Sequence, residues 1–449
     1  MELPRQSAFA TRSADHSPAR LIFVNRFFYP DESATSLMLA DLVFALEGQR
    51  FERHAVASRS QYAMGVKAPP KREDIRGLQI HRIAALSLAH DSLVGRSLNF
   101  AIFFVLSFFT VLRLARPGDV IVCLTDPPLG NLPCLLAARL KRARLVNWVQ
   151  DIYPEVATRL GYGSDKNLLL RLVKRLRDKC WAASDANVVI GKRMAEHLAQ
   201  CAAPPERIHV IANWAEEAAL EPLAPQDNPL RAQWGYGPDD CVIGYSGNLG
   251  RAHDSATMLG AIEALSTGEH RSLRFLYVGG GAKNAELRRR AVDLPQVEFR
   301  DYQPRERLRE SLAVPDVHWL SLDPALEGLI VPSKFYGAAA VGRPVVFIGD
   351  PRGEVARLIA LGECGRSFAP GASEALMHYL LELAHDRALR ERLGRNARQF
   401  AEEYLPRHAR LAEWMTLLDR FAPDQGSGPA RGEANRATRV SERAEAGAA

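Results

Sequence analysis

The residue types best suited to chemistry crowd into one stretch, Pro324-Ala325-Leu326-Glu327-Gly328-Leu329-Ile330-Val331-Pro332-Ser333-Lys334-Phe335-Tyr336-Gly337. It offers a carboxylate, a hydroxyl and an ammonium, with Gly328 among them. The apolar run 316–322 leads into it as a strand. A helical pattern leaves it over 333–341, until Gly342-Arg343-Pro344 stops the helix. A strand-loop-helix unit of this kind aims backbone N–H groups and a helix N-terminus at one point, where a phosphate can sit. The same pattern also fits a plain βα connection with Ser333 as N-cap. The stretch alone leaves both open.

Two glycine turns add to it: Gly247-Asn248-Leu249-Gly250-Arg251 after the run 241–246, and Gly279-Gly280-Gly281 after 273–278. Neither completes G-x-G-x-x-G, so neither is a sound dinucleotide signal. Backbone amides with Arg251 and Lys334 could instead neutralise a diphosphate without a metal, although both cations also fit solvated surface positions. Glu327 is suited to accept hydrogen bonds from hydroxyls. In the first half, Asp126 and Asp151 stand in loops that follow strands. They read as acids facing a cleft or as turn and cap residues. No G-x-x-x-x-G-K-[ST], no G-x-S-x-G and no His/Cys/Asp spacing of metal-ligand type occurs, so no metal and no cofactor is expected.

The chain of 449 residues is 47% hydrophobic and 24% charged, a globular composition long enough for two or three domains. The first 19 residues are polar, without a secretory pattern, and read as a loose arm. Six cysteines without a C-x-x-C pair fit buried thiols in a reducing cytoplasm. The net charge of +6 is mild, and no nucleic-acid partner is expected. Its placement is uneven: Lys141, Arg142 and Arg144 form one cluster, and Lys166, Arg171, Lys174, Arg175, Arg177 and Lys179 a second. The second lies on a helix, 165–181, whose Leu168, Leu172 and Leu176 recur every four residues. This is either a solvated helix face or a contact for an anionic membrane surface or acidic substrate.

The elements that must position these residues alternate between strand and helix. Strands are expected at 20–26, 53–58, 78–83, 119–124, 144–149, 186–190 and 208–211, with helices between and a polar loop at 61–76. Residues 97–112 form the most apolar run, with Phe100, Phe103, Phe104, Phe108 and Phe109. It is short of the roughly 20 residues that a spanning helix needs. It fits a buried helix or one set into a single leaflet. Residues 213–238 read as a linker. Alternation restarts at 241–246 and runs through 273–278, 297–300, 317–322 and 345–348. A last helix follows at 405–421, and then a tail, 422–449, poor in large apolar residues. The expected fold class is α/β, two Rossmann-like domains facing an interdomain cleft: an arm 1–19, a first domain 20–212, the linker, a second domain 239–404, the crossing helix and the tail. Ligands of such sheets bind outside the carboxyl ends of the strands, where all the singled-out loops lie.

The order of these loops resembles a GT-B glycosyltransferase of the large retaining family 4, and within it the WbuB-like, colanic-acid-type subgroup. The matching residues are Asn25-Arg26-Phe27-Phe28-Tyr29-Pro30 with Ser33-Ala34-Thr35-Ser36, Trp148 to Glu155, Asn213-Trp214, Tyr245 to Arg251, Val278 to Gly281, and Pro332 to Tyr336 with Gly342-Arg343-Pro344. The resemblance covers about residues 20–421. It implies that the second half binds a nucleotide-diphosphate sugar, a UDP-sugar above all. Gly247, Asn248, Arg251, Gly279, Ser333 and Lys334 would lie at the diphosphate. Glu327, Gly328 and Leu329 would lie at the transferred sugar, and Tyr302, in the loop 300–303, at the base. The first half would bind a polyprenyl-diphosphate-linked saccharide through Tyr29, Ser33, Thr35 and Tyr153, with Asp151, Asp126 and Glu327 nearest the chemistry. The implied protein is a metal-independent transferase of surface polysaccharide synthesis. It would sit peripherally on the cytoplasmic side of the inner membrane through 97–112 and 165–179.

Two positions depart from the family. A second Glu, which holds the ribose there, is replaced by Gly337, and a glycine pair in the first loop is replaced by Ser33-Ala34. A sugar-nucleotide epimerase of the same fold, or a non-catalytic partner in a polysaccharide assembly complex, are the alternatives.

Overall fold

The computed structural model describes residues 18–59, 69–84, 93–164, 166–201, 203–215, 218–266 and 272–421. Most of the expected arm, part of the loop 61–76 and the tail 422–449 lie outside the described residues.

Eight strands build the first sheet: β1 (Arg20–Val24), β2 (Glu52–Ser58), β3 (Arg72–Ile75), β4 (Leu78–Ile83), β5 (Val120–Leu124), β6 (Arg144–Val149), β7 (Ala186–Val189) and β8 (Ile208–Val210). Their order is β3-β4-β2-β1-β5-β6-β7-β8. All pairs are parallel except β3 with β4. Helices cover both faces, so the central strands read as unbroken apolar runs such as Val120-Ile121-Val122-Cys123-Leu124, every residue buried. Helix α1 (Ala34–Ala45) packs on one face. On the other lie α2 (Leu93–Leu114), α3 (Asn131–Lys141) and α5 (Leu168–Ala183), while the short α4 (Glu155–Arg159) and α6 (Lys192–Gln200) flank the cleft.

The second sheet holds β9 (Cys241–Ser246), β10 (Leu273–Val278), β11 (Val297–Arg300), β12 (Val317–Ser321), β13 (Val345–Ile348) and β14 (Gly365–Phe368). The order β11-β10-β9-β12-β13-β14, all parallel, reverses direction between β9 and β12. That is the Rossmann order, with its ligand crevice at the reversal. The corresponding reversal in the first sheet lies between β1 and β5. The second domain's helices are α7 (Pro229–Gln233), α8 (Ala256–Ser266), α9 (Asn284–Arg290), α10 (Leu308–Ala313), α11 (Lys334–Ala340), α12 (Glu354–Leu361), α13 (Ser373–His385), α14 (Arg387–Tyr404) and α15 (Arg407–Phe421).

Four elements differ from expectation. β3 falls inside the stretch taken as a loop. Its residues Arg-Glu-Asp-Ile alternate between exposed and half-buried, which leaves no apolar signal. Arg76 and Gly77, at φ of 53° and 73°, turn it back onto β4 as a two-residue hairpin. β14, Gly-Arg-Ser-Phe, is a polar edge strand that periodicity does not reveal. The expected linker contains α7, capped by the Asn228 side chain, which accepts from the Leu230 and Arg231 N–H groups. Finally, α2 extends beyond 97–112 at both ends to 22 residues, about 33 Å. It is long and apolar enough to cross a membrane, by length and composition alone. It nevertheless packs along α3 and the sheet, burying Phe103 and Val111.

The two sheets share one apolar core at their junction. Trp148 of β6 stacks on Trp214 (centroids 6.1 Å apart) and meets Trp414 of α15 (4.6 Å). Arg407, at the start of α15, is clamped to Asp41 of α1 at 2.5 Å, so the last helix is tied to the first domain.

Candidate active site

The loops after β9 and β10 interlock, and their glycines are required for it. Gly279 and Gly281 have φ of +119° and +124°. A Cβ on Gly279 would lie 2.5 Å from Gly247 O, and one on Gly281 2.4 Å from Leu249 O. Main-chain bonds from Gly247 to Val278 O (2.8 Å) and from Leu249 to Gly280 O (2.7 Å) close the pair. The result is a side-chain-free shelf at the switch point. Tyr302, 60% exposed, stands over Gly279 and Gly280 as an open aromatic face.

Lys334 enters this shelf from α11. Its stem passes Gly247, where a Cβ would lie 3.0 Å from Cε, and its ammonium lies 5.3 Å from the centroid of Tyr245. Burial lowers its pKa to about 8. His253 supports it from the same loop as Arg251. His253 Nδ1 is 2.5 Å from Ser321 O, which requires the proton on Nδ1 and turns the Nε2 lone pair to Lys334 Nζ at 3.4 Å. Burial and the Lys334 charge push this imidazole down to about 4, so it is neutral at pH 7. Lys283 Nζ, bonded to His253 O, brings a second ammonium to the same loop. His253 and Lys283 were not legible in the sequence: a single His two residues past Arg251 has no spacing partner, and a Lys opening a helix is ordinary.

Ser333 holds the N-cap position of α11 but makes no side-chain capping bond, and it is exposed beside Lys334. Asn248 is exposed, and Tyr245 OH holds its carbonyl at 2.9 Å. Arg251 reaches across the cleft and lies 5.2 Å from the ring of Tyr162 in the first domain. Glu327 is turned toward α12: one carboxylate oxygen accepts from Glu354 N at 2.8 Å, and burial raises its pKa. Gly337 sits one turn beyond Lys334 on α11, where a Cβ would come within 3.3 Å of Leu312 Cδ1.

The first domain meets this site through its own switch-point loops. Ile152 N–H donates to Leu329 O at 2.9 Å, and Asp151 bridges Ile330 in an antiparallel pair. The acid loop and the loop of Glu327, Gly328 and Leu329 are thus stitched together by backbone. Gly328, at φ +74°, leaves room for Arg193 O, 3.2 Å from where its Cβ would be. Arg193 itself donates to Arg352 O (2.8 Å).

Asp151 lies deep in the cleft, hemmed in by protein yet still reached by solvent at one side. Burial and the neighbouring Asp126 raise its pKa to about 6. Asp126 is raised to about 6 as well, by burial, although Arg26 lies 3.9 Å away. Two carboxyls of this kind can bind hydroxyls as acceptors or donors near neutrality. Arg177 fixes the loop that carries Asp151: it donates to Tyr153 O at 2.6 Å and grips Glu155 with both nitrogens. Tyr29 is 45% exposed and packs edge-on against Phe44. The Ser33 amide bonds Asp31 at 2.8 Å, and Thr35 Oγ1 accepts from Asn25 Nδ2 at 3.4 Å. The structure therefore brings Lys334, Gly247, Gly279 and Tyr302 to one shelf, with Ser333 next to Lys334 in the chain. It places Asp151 and Asp126 together in the first domain, beside the seam to Leu329 and Ile330; Tyr29 is exposed, while Ser33 and Thr35 are half-buried and the Ser33 hydroxyl is enclosed.

Residues 36–214 match the family model described as "Glycosyl transferase 4-like domain". Residues 240–386 match "Glycosyl transferases group 1". A relative, "Probable glycosyltransferase WbjE" of Pseudomonas aeruginosa, is 27% identical over 274 residues, 60% of this chain and 67% of that protein. The chain is a glycosyltransferase of the GT-B fold. Solved structures share that fold. Anabaena Alr3699/HepE in complex with UDP aligns with a TM-score of 0.66 at 16% identity, over 89% of this chain and all of that one. The sucrose-phosphate synthase tll1590 of Thermosynechococcus elongatus aligns at 0.71 and 14%, over 90% and 98%. In a GT-B glycosyltransferase the interlocked glycine shelf with Lys334 lies in the domain matched by the group 1 model, and the Asp126–Asp151 pair in the other.

Proposed function

We propose that this glycosyltransferase moves a sugar, with retention and without a metal, from a UDP-sugar to a lipid-diphosphate-linked saccharide at the cytoplasmic face of a membrane, in surface polysaccharide synthesis. The observation that carries the reading is the backbone seam of Ile152 with Leu329 and Asp151 with Ile330. It fixes a cationic, amide-lined shelf against a carboxyl pair, which is what transfer between a diphosphate donor and a hydroxyl acceptor needs. The diphosphate lies on the Gly247 and Gly279 turns with Lys334, Ser333 and Arg251, and the base lies against Tyr302. The bond from the anomeric carbon to the diphosphate breaks as the bond to the acceptor oxygen forms on the same face. The acceptor proton passes to the departing phosphate oxygen. The protein contributes charge and position, and Asp151 and Asp126 orient the acceptor hydroxyl. That HepE was solved with UDP supports the choice of base.

The acceptor half rests on α2. Arg26, 3.9 Å from Asp126, also lies 5.2 Å from the centroid of Phe100 on α2, so the apolar helix borders the acceptor mouth. Its outer side shows Leu98, Val105 and Phe109, the last 60% exposed. Leu136 and Leu140 of α3 and Leu168, Leu169 and Leu172 of α5 continue the apolar surface. With the lysines and arginines of α5, this layer suits an anionic leaflet. Purified full-length chain incubated with a panel of UDP-sugars and polyprenyl-diphosphate saccharides tests the reading. Glycosylated lipid with the donor's anomeric configuration is expected, and absence of binding and turnover of every nucleotide sugar overturns it. Donor conversion without acceptor would mark the epimerase alternative.

A further inference from the structure

The second domain has another concavity, at the edge of its sheet opposite the donor shelf. It is a cavity of about 620 Å³, within the range of small-molecule sites. The segment 222–238 forms one wall and α14 the other. Asp240, Asp316 and Pro344, beside the starts of β9, β12 and β13, form the floor.

Its charges do not cancel. Arg231 pairs with Asp316 at 3.0 Å, Arg387 with Glu391 at 2.8 Å and Arg398 with Glu402 at 2.7 Å. The Asp240 carboxylate is spent on Gly237 N at 2.7 Å. Three further guanidiniums line the cavity without a salt bridge among the described residues. Arg343 donates to Leu223 O and Ala313 O (2.7 and 2.9 Å), in the field of Asp316. Arg390 donates to Leu383 O and Ala384 O, in the field of Glu391. Arg395 is exposed at the mouth, in the field of Glu391. A lining with more guanidiniums than carboxylates, six to four, suits phosphate oxygens, and Pro222, Pro225 and Pro344 supply apolar wall for the remainder of a ligand.

We propose that this cavity is a second anion site, distinct from the donor shelf, and that it takes a phosphate-bearing small molecule. Gly342 and Arg343, just past the end of the helix that carries Lys334, line it. α11 runs from the donor edge to this one, where Arg398 donates to Ala340 O at 2.6 Å and Arg343 follows the helix end. A phosphate that draws on Arg398 alters that end of α11, so the site is placed to change donor affinity.

The test separates the two sites by working in the full-length Lys334→Ala variant, with calorimetric titration of inorganic pyrophosphate and, in a second arm, of UMP. Saturable binding is expected. Adding Arg395→Glu should weaken it at least tenfold, with an unchanged circular dichroism spectrum because Arg395 is exposed. Arg390→Ala, checked for folding in the same way, should weaken it as well. Tighter binding of UMP than of pyrophosphate assigns the ligand to nucleotides, and the reverse order assigns it to free phosphates. No saturable binding of either probe, or affinities unchanged in both folded arginine variants, overturns the proposal.

Discussion

Lys334 Nζ lies 3.4 Å from His253 Nε2, and the other nitrogen of that ring is held by Ser321 O. The imidazole therefore acts as a fixed acceptor that aims the ammonium at the glycine shelf. Replacing His253 by Ala should leave the ammonium unaimed and weaken UDP binding by tenfold or more, about 1.5–3 kcal/mol for a hydrogen bond to a charged group. His253→Asn, which can still present an acceptor, should recover part of the loss. Calorimetry of the two variants checks this.

Lys334 also sets a pH dependence. Its pKa is lowered to about 8 in the free protein by burial. Below that pH the ammonium is charged and ready for a diphosphate. As pH rises through 8 the free protein loses the charge, and binding must then take up a proton. UDP affinity should fall steadily above about pH 8, and the fall should vanish in Lys334→Ala. Affinity measured from pH 7 to 9.5 in buffers of different ionisation enthalpy reads both effects.

The acid pair carries the opposite sign. Asp151 and Asp126 are raised from about 3.8 to about 6 in the folded protein, so the folded state holds these protons more tightly than the unfolded chain does. Their cost to stability is absent below the unfolded value and grows as pH rises through 6. Asp151→Asn should stabilise the protein at pH 8 by about 1–2 kcal/mol, once the solvent reaching the cleft is allowed for. It should lower transfer by a factor of ten or more. Its stability gain should shrink toward pH 4. Denaturant melts at pH 4, 6 and 8 test this.

Gly281→Ala should damage the shelf without touching a charge. The new Cβ would meet Leu249 O at 2.4 Å in a backbone at φ +124°, a strain of about 1–3 kcal/mol. A lower melting temperature together with a weaker affinity for UDP is the expected outcome.

The surface layer offers a variant that does not disturb the core. Phe103 is 3% exposed, so its replacement reports folding, whereas Phe109 at 60% and Leu168 at 76% report the surface. Phe109→Ser with Leu168→Ser should keep the melting temperature within about 2 °C and abolish sedimentation with vesicles of anionic lipid. Retained sedimentation would count against that surface.

The two-sheet plan was legible because its central strands are buried on both faces and carry unbroken apolar runs, β5 and β13 above all. β3 and β14 were not legible, because an edge strand has one neighbour and little to bury. The glycine turns, Lys334 and the acid loop could be named from sequence because each follows a strand. His253 and Lys283 could not, since their use depends on contacts across 68 and 30 residues of chain. Nor could the sequence show that Glu327 is engaged by the start of α12, because Gly353 and Glu354 approach it only after β13.

The central claim is that the shelf of Gly247, Gly279 and Lys334 holds the diphosphate of a UDP-sugar. Titrating UDP into the wild-type chain and into Lys334→Ala at pH 7 tests it directly. Saturable one-to-one binding on the donor shelf, weakened at least tenfold in the variant with no loss of fold, is the predicted result. Equal affinity in the two proteins, or no binding of UDP to either, would contradict it.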